Sequence, residues 1–256
     1  MNRLFLVASI ILTVSSFATA AIPRAYRVDS NGKSLDPVER SLCGVNDMTP
    51  MISEPVKMQE MGTPIGIYEA TIDGSTGYCT GTLITKDLFL TAQHCAAKCE
   101  DINVTFGFLK EGRSEKFSCK EIIETGDSSY ENDFFIIKLA GSPGVSWGWY
   151  DVSEKPVPPN SPLLMIHHPQ ATPMKVSQKN CILLEEKDNF LMHRCDTQPG
   201  SSGSAILLPN YENPTETRVV GVHTLGGCDD TASTSNSGPS MHHLVTISPT
   251  LKSLAK

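Results

Sequence analysis

The chain is short of basic charge. Its 21 Lys and Arg face 28 Asp and Glu, for a formal net charge of −7. A chain without a basic excess lacks the patch that holds nucleic acid or an anionic lipid surface. Past the N-terminal twenty or so residues it also lacks any apolar run long enough to span a bilayer. No internal repeat can be found, which sets aside solenoids and propellers. What remains is an ordinary globular balance, 39% hydrophobic and 19% charged over 256 residues, a length that suits one or two domains.

The first residues follow a different pattern. Met1-Asn-Arg-Leu supplies a basic start, Leu4 to Phe17 is mostly apolar, and Ala18-Thr-Ala20 is a small-x-small cleavage site. This is the layout of a secretory signal peptide, removed after Ala20. The polar segment 21–40 shows no strand pattern and reads as a propeptide. Export makes the eight cysteines read as disulfides rather than metal ligands. A zinc site from His94, Cys95 and Cys99 is the weaker reading in that context, and no metal is expected.

From Pro64 onward short apolar runs alternate with turn signals, the pattern of a barrel or sandwich. Strands are expected over 65–72, 78–85, 88–92, 102–108, 117–123 and 134–139. A Gly/Pro-rich crossing follows, Ala140 to Tyr150 and on to Pro162. The second set is expected over 163–167, 174–184, 190–195, 205–208, 218–224 and 244–247. Ser248 followed by Pro249 predicts a short C-terminal helix.

Three stretches carry chemistry. Thr197-Gln-Pro-Gly-Ser-Ser-Gly-Ser-Ala205 is a tight turn feeding a strand, with Ser202 at its apex between Gly200 and Gly203. Alone it reads equally well as a Ser-rich hairpin loop. A serine nucleophile needs a base, and the base needs an orienting carboxylate. Leu88-Phe-Leu-Thr-Ala-Gln-His94-Cys95 ends an apolar strand in a histidine, and Asn132-Asp133 stands just before another. Those three motifs, in the order His, Asp, Ser, resemble the chymotrypsin-like serine proteases, over nearly the whole chain from residue 41. Ser41-Leu-Cys-Gly-Val-Asn-Asp-Met resembles the mature start of the V8-like glutamyl endopeptidases, a bacterial branch of that superfamily.

The resemblance implies an all-β fold of two six-stranded antiparallel β-barrels, over about 60–140 and 160–247, within a protease domain spanning 41–256. It implies His94, Asp133 and Ser202 as the catalytic triad and the N–H groups of Gly200 and Ser202 as the oxyanion hole. Ser201 stands where trypsin-like zymogens carry an aspartate, and the chain has no Ile-Val-Gly-Gly terminus for it to pair with, so the V8-like branch fits better. Thr197 and His223 match that branch's P1 pocket, with His242 behind His223, which suits a Glu side chain. Asp196 falls where trypsin-like enzymes select Lys or Arg, so that alternative stays open, as does an inactive binding protein on the same fold.

The family also bridges Cys79 to Cys95 beside its histidine. Cys181 and Cys195 flank the turn Lys187-Asp188-Asn189 symmetrically, and Cys99 and Cys119 bracket a two-strand excursion, leaving Cys43 with Cys228. The pairing of these last four cysteines is left open. The expected protein is a secreted monomer acting on peptide or protein substrates. No cofactor, nucleic acid or membrane partner is expected. His167-His168 reads as packing, and Asp229-Asp230 as a solvated loop pair.

Overall fold

In the computed structural model, which describes residues 26–29, 41–109, 113–127, 129–229 and 234–256, strands dominate and helices are short. The signal sequence expected at 1–20, and most of the 21–40 segment, lie outside these residues. The first half supplies β1 (Tyr26–Val28), β2 (Thr49–Pro50), β3 (Ile65–Ile72), β4 (Ser75–Leu83), β5 (Leu88–Thr91), β6 (Ile102–Phe106), β7 (Glu115–Thr125) and β8 (Phe135–Leu139). Strands β4, β3, β6, β7, β8 and β5 pair in that order, and β5 returns to β4 through Thr82 with Leu90 and Leu83 with Phe89. That return closes a six-stranded antiparallel barrel, which leaves no free sheet edge on these strands. Phe89, Phe106 and Phe135 fill it, with Tyr68 among the fully buried side chains. Each such ring stabilises the fold by roughly 2–3 kcal/mol.

The second half holds β9 (Asp151–Val152), β10 (Met165–His167), β11 (Lys175–Ser177), β12 (Leu183–Lys187), β13 (Phe190–His193), β14 (Ala205–Leu208), β15 (Arg218–Val222) and β16 (Asn236–Pro239). Here pairing is interrupted. Three sheets of three strands, β10-β11-β2, β12-β13-β16 and β14-β15-β9, are laced by single bridges such as Leu164 to Leu207 and Gly221 to Ser240. Strand β9 runs parallel to β15. A second apolar cluster, with Leu163, Met165, Leu183, Leu191 and Val220, packs between the sheets.

Several elements differ from the sequence expectation, among them the 174–184 run, which breaks into β11 and β12, and two that bear on the site and its maturation. Leu244 to Ile247 is not a strand but the end of a helix, here α3 (Met241–Ile247), following α1 (Val56–Met61) and α2 (Gly144–Trp147). Its β-branched residues favour a strand locally, yet Ser240 caps the helix by accepting the His243 N–H at 3.1 Å. Met241, Leu244 and Val245 are then buried at helical spacing. The helix expected after Ser248 forms as α4 (Pro249–Leu254), with Ser248 accepting the Leu251 N–H at 3.0 Å and Pro249 in the first turn. The second difference is β1, which arises in the segment read as patternless. Its Tyr26, Arg27 and Val28 face Tyr78, Gly77 and Thr76 of β4. No helix among the described residues is long and apolar enough to cross a membrane.

Candidate active site

The Ser202 turn of the second half docks on the first barrel. The Thr80 N–H donates to the Ser202 carbonyl at 2.8 Å, and the Thr80 hydroxyl to the Gly200 carbonyl at 2.9 Å. Thr80 follows Cys79, which is bridged to Cys95, the neighbour of His94. The same barrel holds His94 from below, because the buried Tyr68 hydroxyl donates to the Cys95 carbonyl at 2.8 Å. Gly203 has a φ of +83°, and a Cβ there would lie 2.0 Å from Thr91 Oγ1 and 2.3 Å from the Thr80 carbonyl. Only glycine lets the turn approach the strand leading to His94 this closely.

Asp133, buried at the start of the β8 segment, takes two bonds from His94. Its Oδ1 accepts the backbone N–H at 3.0 Å and its Oδ2 faces Nδ1 at 2.7 Å. An ionised carboxylate only accepts, so Nδ1 carries the proton and Nε2 keeps its lone pair. Nε2 is buried and has no hydrogen-bond partner. Ser202 is half-buried at the apex of its turn. Gly200, at a φ of +94°, reverses the chain just before it. Among the described residues the N–H groups of Gly200 and Ser202 donate to no acceptor.

Beside the turn, two of the three expected pocket residues, Thr197 and His223, are buried. The His223 carbonyl accepts the Gly203 N–H at 2.8 Å. Thr197 pairs with Ser41, its N–H donating to the Ser41 carbonyl at 3.1 Å while the Ser41 hydroxyl donates back to its carbonyl at 2.7 Å. His242 does not stand behind His223. It sits on the exposed side of α3, 3.5 Å from Glu186, because α3 is a helix and turns that residue outward. His193, a residue the sequence reading passed over, takes the place. Its Nε2 lies 3.3 Å from His223 Nδ1, and its Nδ1 accepts the Cys195 N–H at 3.3 Å.

These contacts fix the tautomers. With Nδ1 accepting, a neutral His193 carries its proton on Nε2 and donates to His223, whose proton is therefore on its own Nε2. Burial pushes His193 down to about 3 and holds His223 well below the usual histidine range, so both are neutral at ordinary pH. Asp196 is also buried, and both its oxygens are engaged. They accept the N–H groups of Cys43 at 2.7 Å and Asp47 at 2.9 Å.

Disulfides join Cys43 to Cys228, Cys79 to Cys95, Cys99 to Cys119 and Cys181 to Cys195. Cys79, His94 and Cys95 do place three potential metal-ligand atoms within 4.8 Å of one another. The two sulfurs are bonded to each other, however, and offer no thiolate.

A closed six-stranded barrel docked on a second β unit through the Ser202 turn defines a chymotrypsin-like fold. The chain belongs to the family described as lysyl endopeptidase, C-terminal domain, whose model matches residues 53–240. It is similar in fold to a solved structure titled as a Glu endopeptidase in complex with MPD. That likeness has 20% identity and a TM-score of 0.58, covering 78% of this chain and 93% of the other. Among curated proteins, none matches the chain.

Proposed function

We propose that the chain is a secreted serine endopeptidase working through an acyl-enzyme, with His94, Asp133 and Ser202 as its triad. The observation that carries this reading is the pair of hydrogen bonds from His94 to Asp133, which leaves the Nε2 lone pair turned away from the carboxylate. In the first step Nε2 takes the Ser202 proton as Oγ bonds to the scissile carbonyl carbon. The N–H groups of Gly200 and Ser202 stabilise the oxyanion. As the tetrahedral species collapses, the C–N bond breaks and Nε2 returns the proton to the leaving amine. Water then repeats the sequence on the ester and frees Ser202. The expected result for Ser202→Ala is a fall in turnover on the order of 10⁴ or more, with loss of fluorophosphonate labelling. Near-normal turnover in that variant refutes the mechanism. Absence of labelling in the wild type favours a binding protein instead.

The preferred P1 residue on this reading is Glu. A carboxylate taken out of water needs donors, since an unpaired buried charge is very costly. The relay from Cys195 through His193 leaves His223 with an Nε2–H to offer. The family's description favours the other reading, cleavage after Lys, which requires an acid facing the pocket. Asp196, the acid that reading requires, is held by the backbone of residues 43–47. Matched peptides differing only at P1 decide between them. Glu should be cleaved fastest, and His193→Leu should weaken that preference about tenfold or more, the worth of a bond to a charged group. Faster cleavage after Lys or Arg overturns the Glu assignment.

A further inference from the structure

Ser201, immediately before the candidate nucleophile, is fully buried and its hydroxyl is part of a chain that returns to its own loop. The Gln198 N–H donates to Ser201 Oγ at 3.1 Å, and Ser201 Oγ lies 2.8 Å from His167 Nδ1. His167 Nε2 lies 3.3 Å from Ser177 Oγ, and the Ser177 hydroxyl donates to the Asp196 carbonyl at 2.7 Å. The direction of each bond can be worked out. The Ser177 proton is committed to Asp196, so Ser177 must accept from His167 Nε2–H. That leaves His167 Nδ1 as the acceptor, and the Ser201 hydroxyl must donate to it. Every donor and acceptor is matched once.

We propose that His167 is a positioning residue for the nucleophile turn. Its neutral ring ties Ser201 to Asp196 and so sets where the N–H groups of Gly200 and Ser202 point. The inference rests on the proposed role of Ser202. Three observations support it. His167 and Ser177 are fully buried and bonded along this path. Burial pushes His167 down to about 3, which keeps the ring in the neutral form this arrangement needs. The turn is pinned from the opposite side by Thr80, through its bonds to the carbonyls of Gly200 and Ser202. Releasing the His167 side removes the side-chain tie at Ser201 and leaves the turn to its backbone bonds and to Thr80. A displacement near 1 Å at such a site can cost about 10²-fold in rate. A packing histidine, by contrast, affects how much enzyme folds and not how fast each folded molecule works.

The test counts active molecules separately from their speed. Wild type, His167→Leu, His167→Asn, Ser201→Ala and Ser177→Ala are each titrated to completion with a fluorophosphonate probe. Values of kcat and KM are then measured on one peptide per titrated serine. His167→Leu and Ser201→Ala should lower kcat about 10–100-fold with little change in KM. His167→Asn, whose amide oxygen can stand near the Nδ1 position, should recover much of that loss. If His167→Leu does not fold, the two serine variants carry the decision, being small truncations. Unchanged kcat per titrated serine in Ser201→Ala and Ser177→Ala overturns the proposal, even where the melting temperature falls. A wild type that takes no probe overturns the serine reading and this inference together.

Discussion

Histidines 167, 168, 193 and 223 are buried and neutral, and this sets how the fold answers to acid. Burial pushes His167 and His193 down to about 3 and His168 to about 4, and lowers His223 well below its ordinary 6.5. In the unfolded chain each binds a proton near 6.5. Below that pH the unfolded state holds more protons, so folded stability is complete above about 6.5 and drains as pH falls. Each such group costs on the order of 1 kcal/mol per pH unit in this window. Equilibrium unfolding of the inactive Ser202→Ala variant should show a urea midpoint that drops from pH 7 to pH 5 and is level from 7 to 8.5. A midpoint constant from 7 to 4.5 means that these rings are not held neutral. The residues flanking His94, Asp133 and Ser202 were legible in the sequence because each sits in a short local motif. His193 and His167 were not, since their partners are 30 and 34 positions away. Asp196 has two readings in the sequence, and the backbone of Cys43 and Asp47 that engages it lies 153 and 149 positions away.

At the scale of elements, the barrel strands were plain because β-branched and aromatic residues cluster between turn signals. Alternation of burial is clear along β6 and the first part of β7. Helix α3 was misread for the reason that makes propensity a weak prior. Leu-Val-Thr-Ile favours a strand, and one serine cap plus a buried face override it. Strand β1 was missed because its three residues carry no period, and pairing with β4 alone defines it. It bears on maturation. We propose that the active form begins at Ser41, after cleavage following Arg40, which cuts the covalent tether of β1. A three-residue strand is short for stable pairing once the tether is gone. Sequencing of the secreted active form should read Ser-Leu-Cys-Gly. Full activity in protein that still starts at Ala21 contradicts the proposal.

For the whole molecule, the site depends on two halves joined at several places, with Thr80 holding the Ser202 turn and residues 41–47 holding Thr197 and Asp196. The crossing between halves was legible from its glycines and prolines. The broken pairing of the second half was not, because single bridges leave no periodic trace. The bond from Cys43 to Cys228 spans 185 positions and ties the N-terminal segment to the loop after His223. In the chain-entropy account, closing so large a loop stabilises the fold by about 5 kcal/mol.

That same closure has a second consequence. On the proposed activity, each molecule shares its solution with copies able to cut its exposed loops. Any single hydrolysed bond between Cys43 and Cys228 opens the ring without dividing the molecule, so His94, Asp133 and Ser202 stay on one covalent body. Briefly digested protein should therefore run as one band without reductant and as two fragments with it. For a cut outside the three shorter disulfide loops, the double variant Cys43→Ser, Cys228→Ser should run as two fragments in both gels. The long disulfide then acts as damage tolerance, letting the molecule outlive its own nicks.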